Sequence, residues 1–507
     1  MHVLCANVAQ ELRDRLSRSS RHSWRALSGD PVDPSIRDDL RDADAVVCGL
    51  PETAGVSAAD ALLRASAGVY NLLAGTAIER FVLLSSLAPF ESYPIDHHVS
   101  EYWAPRPTTD VADLVAVTAE AVVREISQTG VVTAVCLRLA RVEPDDAVTD
   151  ARAVHIDDVA QAVERALDFK PDAGEPAPGW WVFHVVGAGR PRFALGLAGA
   201  RAPYPNGGRG STLGYAPRHD LARGAPVVAR EEAARAAVVR REVPSRPRVT
   251  IFGAGGPFAA AAAAALAPTS VLRLTDARPY EEIVRSAVPQ QVGAPTPVAW
   301  PAPHDTRVVD ITEFEQVLTA VEGADAILNL AVVREHPIES FRVNVVGAYN
   351  VARAAVAAGI RRLVLTGPNQ VFHPMCGAYW ADFDVSSDVP QRPGAHIYML
   401  SKFLGNEIVR IFAEAHDLEV PVLVYGYFSS PEEYVVDHLG GHPFTVSWND
   451  TGESMRAALT VRELPRPYEV LHVLASLPHG KYRNDRLREA LQWEPRDRLE
   501  HLWRRPR

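Results

Sequence analysis

Cysteine is scarce in this chain, with four in 507 residues, and Cys5, Cys48, Cys136 and Cys376 show none of the paired spacing that holds a metal or builds a disulfide framework. Three of them sit in apolar, strand-like runs, where a thiol behaves as a small hydrophobe. A reducing compartment is expected. Long apolar runs are missing too: no segment reaches the roughly 20 residues a bilayer helix needs, and Met1-His2-Val3-Leu4-Cys5 lacks the pattern of a secretory leader. A cytoplasmic protein without a membrane partner is the expectation. Basic runs with interleaved aromatics are also absent and the formal charge of -10 is modest for this length, which argues against nucleic acid as a partner.

What is present is an ordinary globular composition, 47% hydrophobic and 22% charged, in a chain long enough for two to four domains. Its phrases occur twice, at an offset of roughly 280 residues, the size of a whole domain. Ala43-Asp44-Ala45-Val46-Val47 answers Ala324-Asp325-Ala326-Ile327-Leu328, and Val69-Tyr70-Asn71-Leu72-Leu73 answers Ala348-Tyr349-Asn350-Val351-Ala352. Ile156-Asp157-Asp158-Val159 parallels Trp448-Asn449-Asp450-Thr451, and Val182-Phe183-His184-Val185 parallels Val470-Leu471-His472-Val473. Leu213-Gly214-Tyr215-Ala216-Pro217 matches Leu491-Gln492-Trp493-Glu494-Pro495. A tandem duplication follows, with domains at 1–225 and 247–507 and an Ala/Arg/Glu/Pro-rich linker at 226–246.

In the second half, short β-branched runs alternate with helix-length apolar patterns, as in βαβ units with a parallel sheet buried on both faces. The pattern predicts strands at Val249–Phe252, Ser270–Leu274, Ala326–Leu330, Arg362–Leu365 and Pro421–Tyr425. Helices are predicted at Phe258–Leu266, Glu313–Val321, Ile338–Ala358 and Ile397–His416. The fold class is therefore α/β, two tandem doubly wound parallel sheets of Rossmann type, each with a small C-terminal segment on the substrate side.

After the first strand of this half the chain reads Gly253-Ala254-Gly255-Gly256-Pro257-Phe258-Ala259. Small residues there let the backbone turn tightly and approach a pyrophosphate at a helix N-terminus. Asp276 closes the second strand, where a carboxylate meets the adenine ribose hydroxyls and disfavours a 2′-phosphate, so NAD is the expected cofactor. Arg278 nearby softens that preference. Tyr398 and Lys402 are four apart and share one helix face. A phenol there can exchange the proton that accompanies hydride transfer, and a neighbouring ammonium favours its ionised form.

On these residues, with Asp310-Ile311, Leu330-Ala331, Asn344-x-x-Gly347 and Leu491-x-Trp493-x-Pro495, the second half resembles the extended short-chain dehydrogenase/reductase family over nearly its whole length. The resemblance implies that Gly253, Gly256, Phe258, Asp276 and Arg278 meet the cofactor, that Asp310 and Ile311 lie by the adenine, and that Leu330 and Ala331 line the cleft. It also implies that Tyr398 and Lys402 are the catalytic pair. Two departures stand out. The expected hydroxyl after the fifth strand is replaced by Pro368, leaving Thr366 or Asn369 to orient the substrate, and Pro257 removes an N–H at the pyrophosphate. Asn344 is expected at a helix irregularity or on a plain helix face. Tyr425, Tyr427 and Phe428 are candidates for a sugar pocket or for core, and His336, His373, His396 and His442 lack metal-site spacing.

In the first half the glycine positions fall on Ala6, Ala9 and Leu12, and Val111–Arg124 offers alanine and valine where Tyr and Lys would stand. A silent copy without cofactor is expected there, retained as an intramolecular pseudo-dimer partner through helices at Ser57–Ala74 and Thr109–Gln128. The short C-terminal segment makes the second half resemble uronate-dehydrogenase-like members. The expected activity is NAD-dependent oxidation or reduction at a secondary alcohol or ketone of a sugar or sugar acid. A nucleotide-sugar epimerase or dehydratase with recycled NAD is the alternative, and a non-catalytic scaffold or sensor is another.

Overall fold

The computed structural model describes residues 1–18, 21–94, 96–130, 132–146, 148–150, 152–172, 179–188, 212–221, 244–291, 293–372, 384–430, 445–477 and 480–500. It divides into two compact units, Met1–Ala234 and Arg235–Arg507. Most of the expected linker, 226–243, lies outside the described residues, as do Cys376, His373 and His442.

The first unit is built on strands β1 (His2–Ala6), β2 (Ser23–Ala26), β3 (Ala45–Gly49), β4 (Arg80–Ser86), β5 (Thr133–Leu139) and β8 (Trp180–Val185), with a two-stranded side ribbon of β6 (Arg141–Glu143) and β7 (Ala153–His155). The sheet order is β2-β1-β3-β4-β5-β8, all parallel. β3 reads Ala-Val-Val-Cys-Gly and is buried along its whole length, as a strand covered on both faces must be. Cys5, Cys48 and Cys136 are buried within β1, β3 and β5.

The second unit holds β9 (Arg248–Phe252), β10 (Val271–Asp276), β11 (Asp305–Val308), β12 (Ala326–Asn329), β13 (Arg362–Pro368), β14 (Val420–Tyr425) and β17 (Tyr468–His472) in the parallel order β11-β10-β9-β12-β13-β14-β17. A small ribbon pairs β15 (Tyr427–Ser429) with β16 (Thr445–Ser447). The order reverses direction between β9 and β12, the topological switch point where doubly wound sheets bind ligands. The five strands expected here all form. β11, an edge strand with alternating exposure, escapes the apolar-run criterion.

The expected Ile338–Ala358 helix is interrupted. Glu339–Phe341 and Gly347–Ala357 are α-helical, and the five residues Arg342–Val346 between them form a π-turn. The first unit has the same irregularity, with a π-turn at Arg64–Gly68 between Ala58–Leu63 and Val69–Leu73.

Other paired phrases keep matching contacts. Asn71 donates to the carbonyls of Pro31 and Val32, and Asn350 to those of Ile311 and Thr312. Asp158, in the first turn of its helix, accepts the backbone N–H groups of Arg218 and His219; Asp450 does the same for Arg496 and Asp497. His184 and His472 are both fully buried on the last strand, and each meets a phenylalanine, Phe90 and Phe372 respectively.

One alignment needs correction. Ala6 is still the last residue of β1, and the left-handed turn position that Gly253 holds at φ 76° is filled by Asn7 at φ 53°. Asparagine tolerates this region through local hydrogen bonding. The close approach has moved to the facing strand end, since a Cβ on Gly49 would fall 2.2 Å from the Asn7 carbonyl oxygen.

Candidate functional site

A cavity of about 550 Å³ opens at the carboxyl ends of the second sheet. The glycine turn forms one wall. A Cβ on Gly253 would lie 2.5 Å from the Ala331 nitrogen, so glycine is required where the first turn touches the end of β12. Gly256 caps the Pro257–Leu266 helix, and a Cβ there would meet nothing within 4 Å. No protein atom demands a glycine at that point; the open space belongs to whatever approaches the helix N-terminus. Pro257 occupies the first helical position, where its missing N–H is tolerated by the helix and lost to a ligand.

Asp276, at the end of β10, is oriented from below. Its Oδ2 accepts the Gly255 N–H at 2.9 Å and its Oδ1 the Arg278 N–H at 3.3 Å. Each carboxylate oxygen keeps capacity for a further donor. Asp310 is fixed by the N–H and hydroxyl of Thr312, at 2.9 and 2.8 Å. The side chain of Ile311 packs against Gly347, where a Cβ would come within 2.9 Å of it. Gly253, Gly256, Phe258, Asp276, Arg278, Asp310, Ile311, Leu330 and Ala331 all line this one cavity.

Tyr398, Lys402 and Thr366 line it as well. The first two stand on the Ile397–Ala415 helix, whose N-terminus is capped by the His396 Nδ1 accepting the Tyr398 N–H at 3.3 Å. Lys402 is buried, and desolvation pulls its ammonium down to about 8. Desolvation pushes the Tyr398 phenol above its ordinary value, and the nearby Arg334 charge opposes that rise. Asn369 is not among the lining residues: its amide is fully buried and has no hydrogen-bond partner among the described residues.

Behind the Tyr398 helix, Asn344 sits in the π-turn and is buried. Its Nδ2 donates to the Val333 carbonyl at 2.8 Å and to the Ser401 hydroxyl at 2.9 Å. The carbonyl of Asn344 presses on Gly405, where a Cβ would fall 1.9 Å away. The irregular turn and the helix bearing Tyr398 are thereby interlocked.

Arg334 was not a sequence candidate. Its guanidinium carbon lies 5.5 Å from the centroid of the Tyr398 ring, and it lines the same cavity. The only sequence signal for it was a cation three residues beyond Ala331 in the loop leaving a strand. Tyr425 belongs to the core, its hydroxyl 2.8 Å from Ser454, while Phe428 stacks on Trp448 and Tyr427 faces solvent.

His336 caps the turn entering the Glu339–Phe341 helix by accepting the N–H groups of Ile338 and Glu339. In the first unit Asp146, His155 and His219 gather closely enough to suit a metal. Both ring nitrogens of His155 are already engaged: Nδ1 accepts the Asp157 N–H and Nε2 faces the Pro144 carbonyl, each at 3.2 Å, and the ring stacks on His219. That arrangement is a packed helix cap.

In the first unit, strand register puts Ser85 where Gly367 stands in the second. Ser85 donates to Glu120 at 2.6 Å, the counterpart of Asn406 on the equivalent helix, which puts Ala112 and Ala116 at the places of Tyr398 and Lys402. Arg138 stands beside Glu120, its Nη2 2.8 Å from the carboxylate and its guanidinium over the Phe90 ring.

Residues 261–441 match the profile described as the NAD dependent epimerase/dehydratase family. The second half carries a domain of this family. Its curated relatives include an L-arabinose 1-dehydrogenase (NAD(P)(+)) of Haloferax volcanii, 32% identical over 142 residues that make up 25% of this chain and 55% of that protein. Another is a uronate dehydrogenase of Agrobacterium fabrum, 29% identical over 119 residues, 23% of this chain and 43% of that protein. The chain thus spans about half the length of these relatives. A solved uronate dehydrogenase from Agrobacterium tumefaciens is 23% identical, with 52% of this chain and 92% of that chain covered at a TM-score of 0.40.

Proposed function

We propose that the second unit is an NAD-dependent oxidoreductase acting on a secondary alcohol or ketone of a sugar or sugar acid. The observation that carries this reading is the convergence of the glycine turn, Asp276, Thr366, Tyr398 and Lys402 on one cavity at the switch point of a parallel sheet. The residues present fit a dinucleotide: the open space before Gly256 suits a pyrophosphate at the helix N-terminus, and Asp276 and Asp310 present oriented carboxylates at the other end. Bound there, the nicotinamide would accept or supply the hydride. Tyr398 would take up or return the hydroxyl proton, Lys402 would add positive charge beside the phenol, and Thr366 would hydrogen-bond the reacting oxygen. The sugar-oxidising relatives support the substrate class.

The test is titration of the purified full chain with NAD, followed by uronates and aldoses with absorbance read at the NADH band. NADH formation is expected, reduced roughly 10²- to 10⁴-fold in Tyr398→Phe, with NAD binding retained. Turnover unchanged in that variant would reject the assignment. NAD binding without turnover on any sugar would favour a cofactor-holding scaffold, a reading that the buried Pro368 at the family's hydroxyl position supports.

A further inference from the structure

We infer that Arg334 selects the substrate of this cavity by binding a carboxylate carried on the sugar, so that the preferred substrate is a sugar acid and not the neutral sugar. This rests on the proposed reaction at Tyr398.

Arg334 leaves β12 on the loop that begins with Leu330 and Ala331, and its guanidinium lies against the Tyr398 ring. An arginine on an aromatic face keeps the N–H groups of its planar fork free for a second partner, and that fork matches a carboxylate bidentately. Any molecule whose hydroxyl reaches the Tyr398 phenol therefore has a guanidinium within one sugar ring's reach. Among the described residues no carboxylate pairs with Arg334, whereas nearby Arg342 is bound to Glu339 at 2.6 Å. The lining charges are unevenly partnered: Arg278 stands with Asp276 and Asp310 by the glycine turn, while Arg334 and Lys402 stand at the Tyr398 end with no lining carboxylate beside them among the described residues. The protein supplies counter-charge at one end, and at the other leaves it to be supplied by a ligand. Lys402, buried and poised near 8, is a weak anion anchor compared with a guanidinium that stays charged.

The experiment compares wild type, Arg334→Gln and Arg334→Lys on D-glucuronate and D-glucose, with kcat/KM measured for both. The ratio of glucuronate to glucose kcat/KM is expected to fall about 10- to 100-fold in Arg334→Gln, the usual worth of a hydrogen bond to a charged group, mainly through KM. Arg334→Lys should recover part of the ratio, because it returns charge without the fork. An unchanged ratio, or an equal loss on both substrates, overturns the inference. If the wild type oxidises neither sugar, the proposed reaction fails, and calorimetric titration of D-glucuronate onto the same three proteins decides the binding claim separately. Heat of binding present in wild type and lost in Arg334→Gln supports it; no difference overturns it.

Discussion

Glu120 holds Arg138 from two sides, its Oε2 2.8 Å from Nη2 and its Oε1 3.1 Å from Nε, in a part of the first unit where both side chains are largely shielded from water. By register the pair stands where Asn406 and Val424 stand in the second unit. Breaking such a pair on one side leaves a buried charge unmatched. Glu120→Gln should therefore destabilise the first unit by about 3–5 kcal/mol, seen as an earlier transition in thermal or denaturant unfolding. Replacing both members, as Glu120→Leu with Arg138→Met, should recover most of that loss, and a double variant no better than the single would show that packing matters more than charge.

Gly405 carries the second prediction. A methyl group there would meet the Asn344 carbonyl at 1.9 Å, closer than any relaxation of a side chain can relieve, so the helix bearing Tyr398 and Lys402 must shift or the π-turn must straighten. Gly405→Ala should cost on the order of 1–3 kcal/mol of stability and lower kcat more than NAD affinity. Calorimetry and cofactor titration separate the two effects.

Lys402 gives a pH dependence. Its folded value is depressed to about 8 against 10.5 for a free lysine, so between these values the unfolded chain binds more protons than the folded one. Stability of the cofactor-free protein should rise as pH increases from about 8 to about 10.5, by about 3 kcal/mol in all for this group. Below about 8 both states are protonated and the dependence vanishes. Lys402→Met should abolish the slope in that window and raise stability at neutral pH, as measured by denaturant midpoints across the range.

Arg334 affects the phenol as well as the substrate. Burial raises the Tyr398 value and Arg334 counters it, so removing the guanidinium should raise it further. For alcohol oxidation, which needs the phenol as a base, the rising limb of the kcat/KM profile should move to higher pH in Arg334→Gln. A limb that stays in place would assign it to another group.

The parts legible in the sequence were those carried by local chemistry. Gly253 and Asp276 could be read because a tight strand-to-helix turn and a carboxylate at a strand end leave a fixed spacing, and Tyr398 with Lys402 because residues four apart share one helix face. β11 was not legible, being a four-residue edge strand with alternating exposure and little apolar content. The π-turn at Arg342–Val346 was legible only as one of two readings of Asn344, a helix irregularity, and its extent was not, since an inserted residue shifts the apolar face without erasing it. Arg334 was missed because nothing in a loop's sequence says which ring its side chain will cover. Asn7 was misplaced by one position because asparagine in a left-handed turn carries no glycine signature, and only backbone dihedrals reveal the exchange with Gly49.

The matching π-turns stand at one position in the two sheets. In each unit the π-turn interrupts the helical segment that joins two neighbouring strands, β3 to β4 in the first and β12 to β13 in the second. In the second unit that turn presses Asn344 against the helix bearing Tyr398, whereas in the first it adjoins a helix with Ala112 and Ala116 in the corresponding places. The same helix irregularity therefore borders a phenol and an ammonium in one unit and two alanines, with no such pair, in the other.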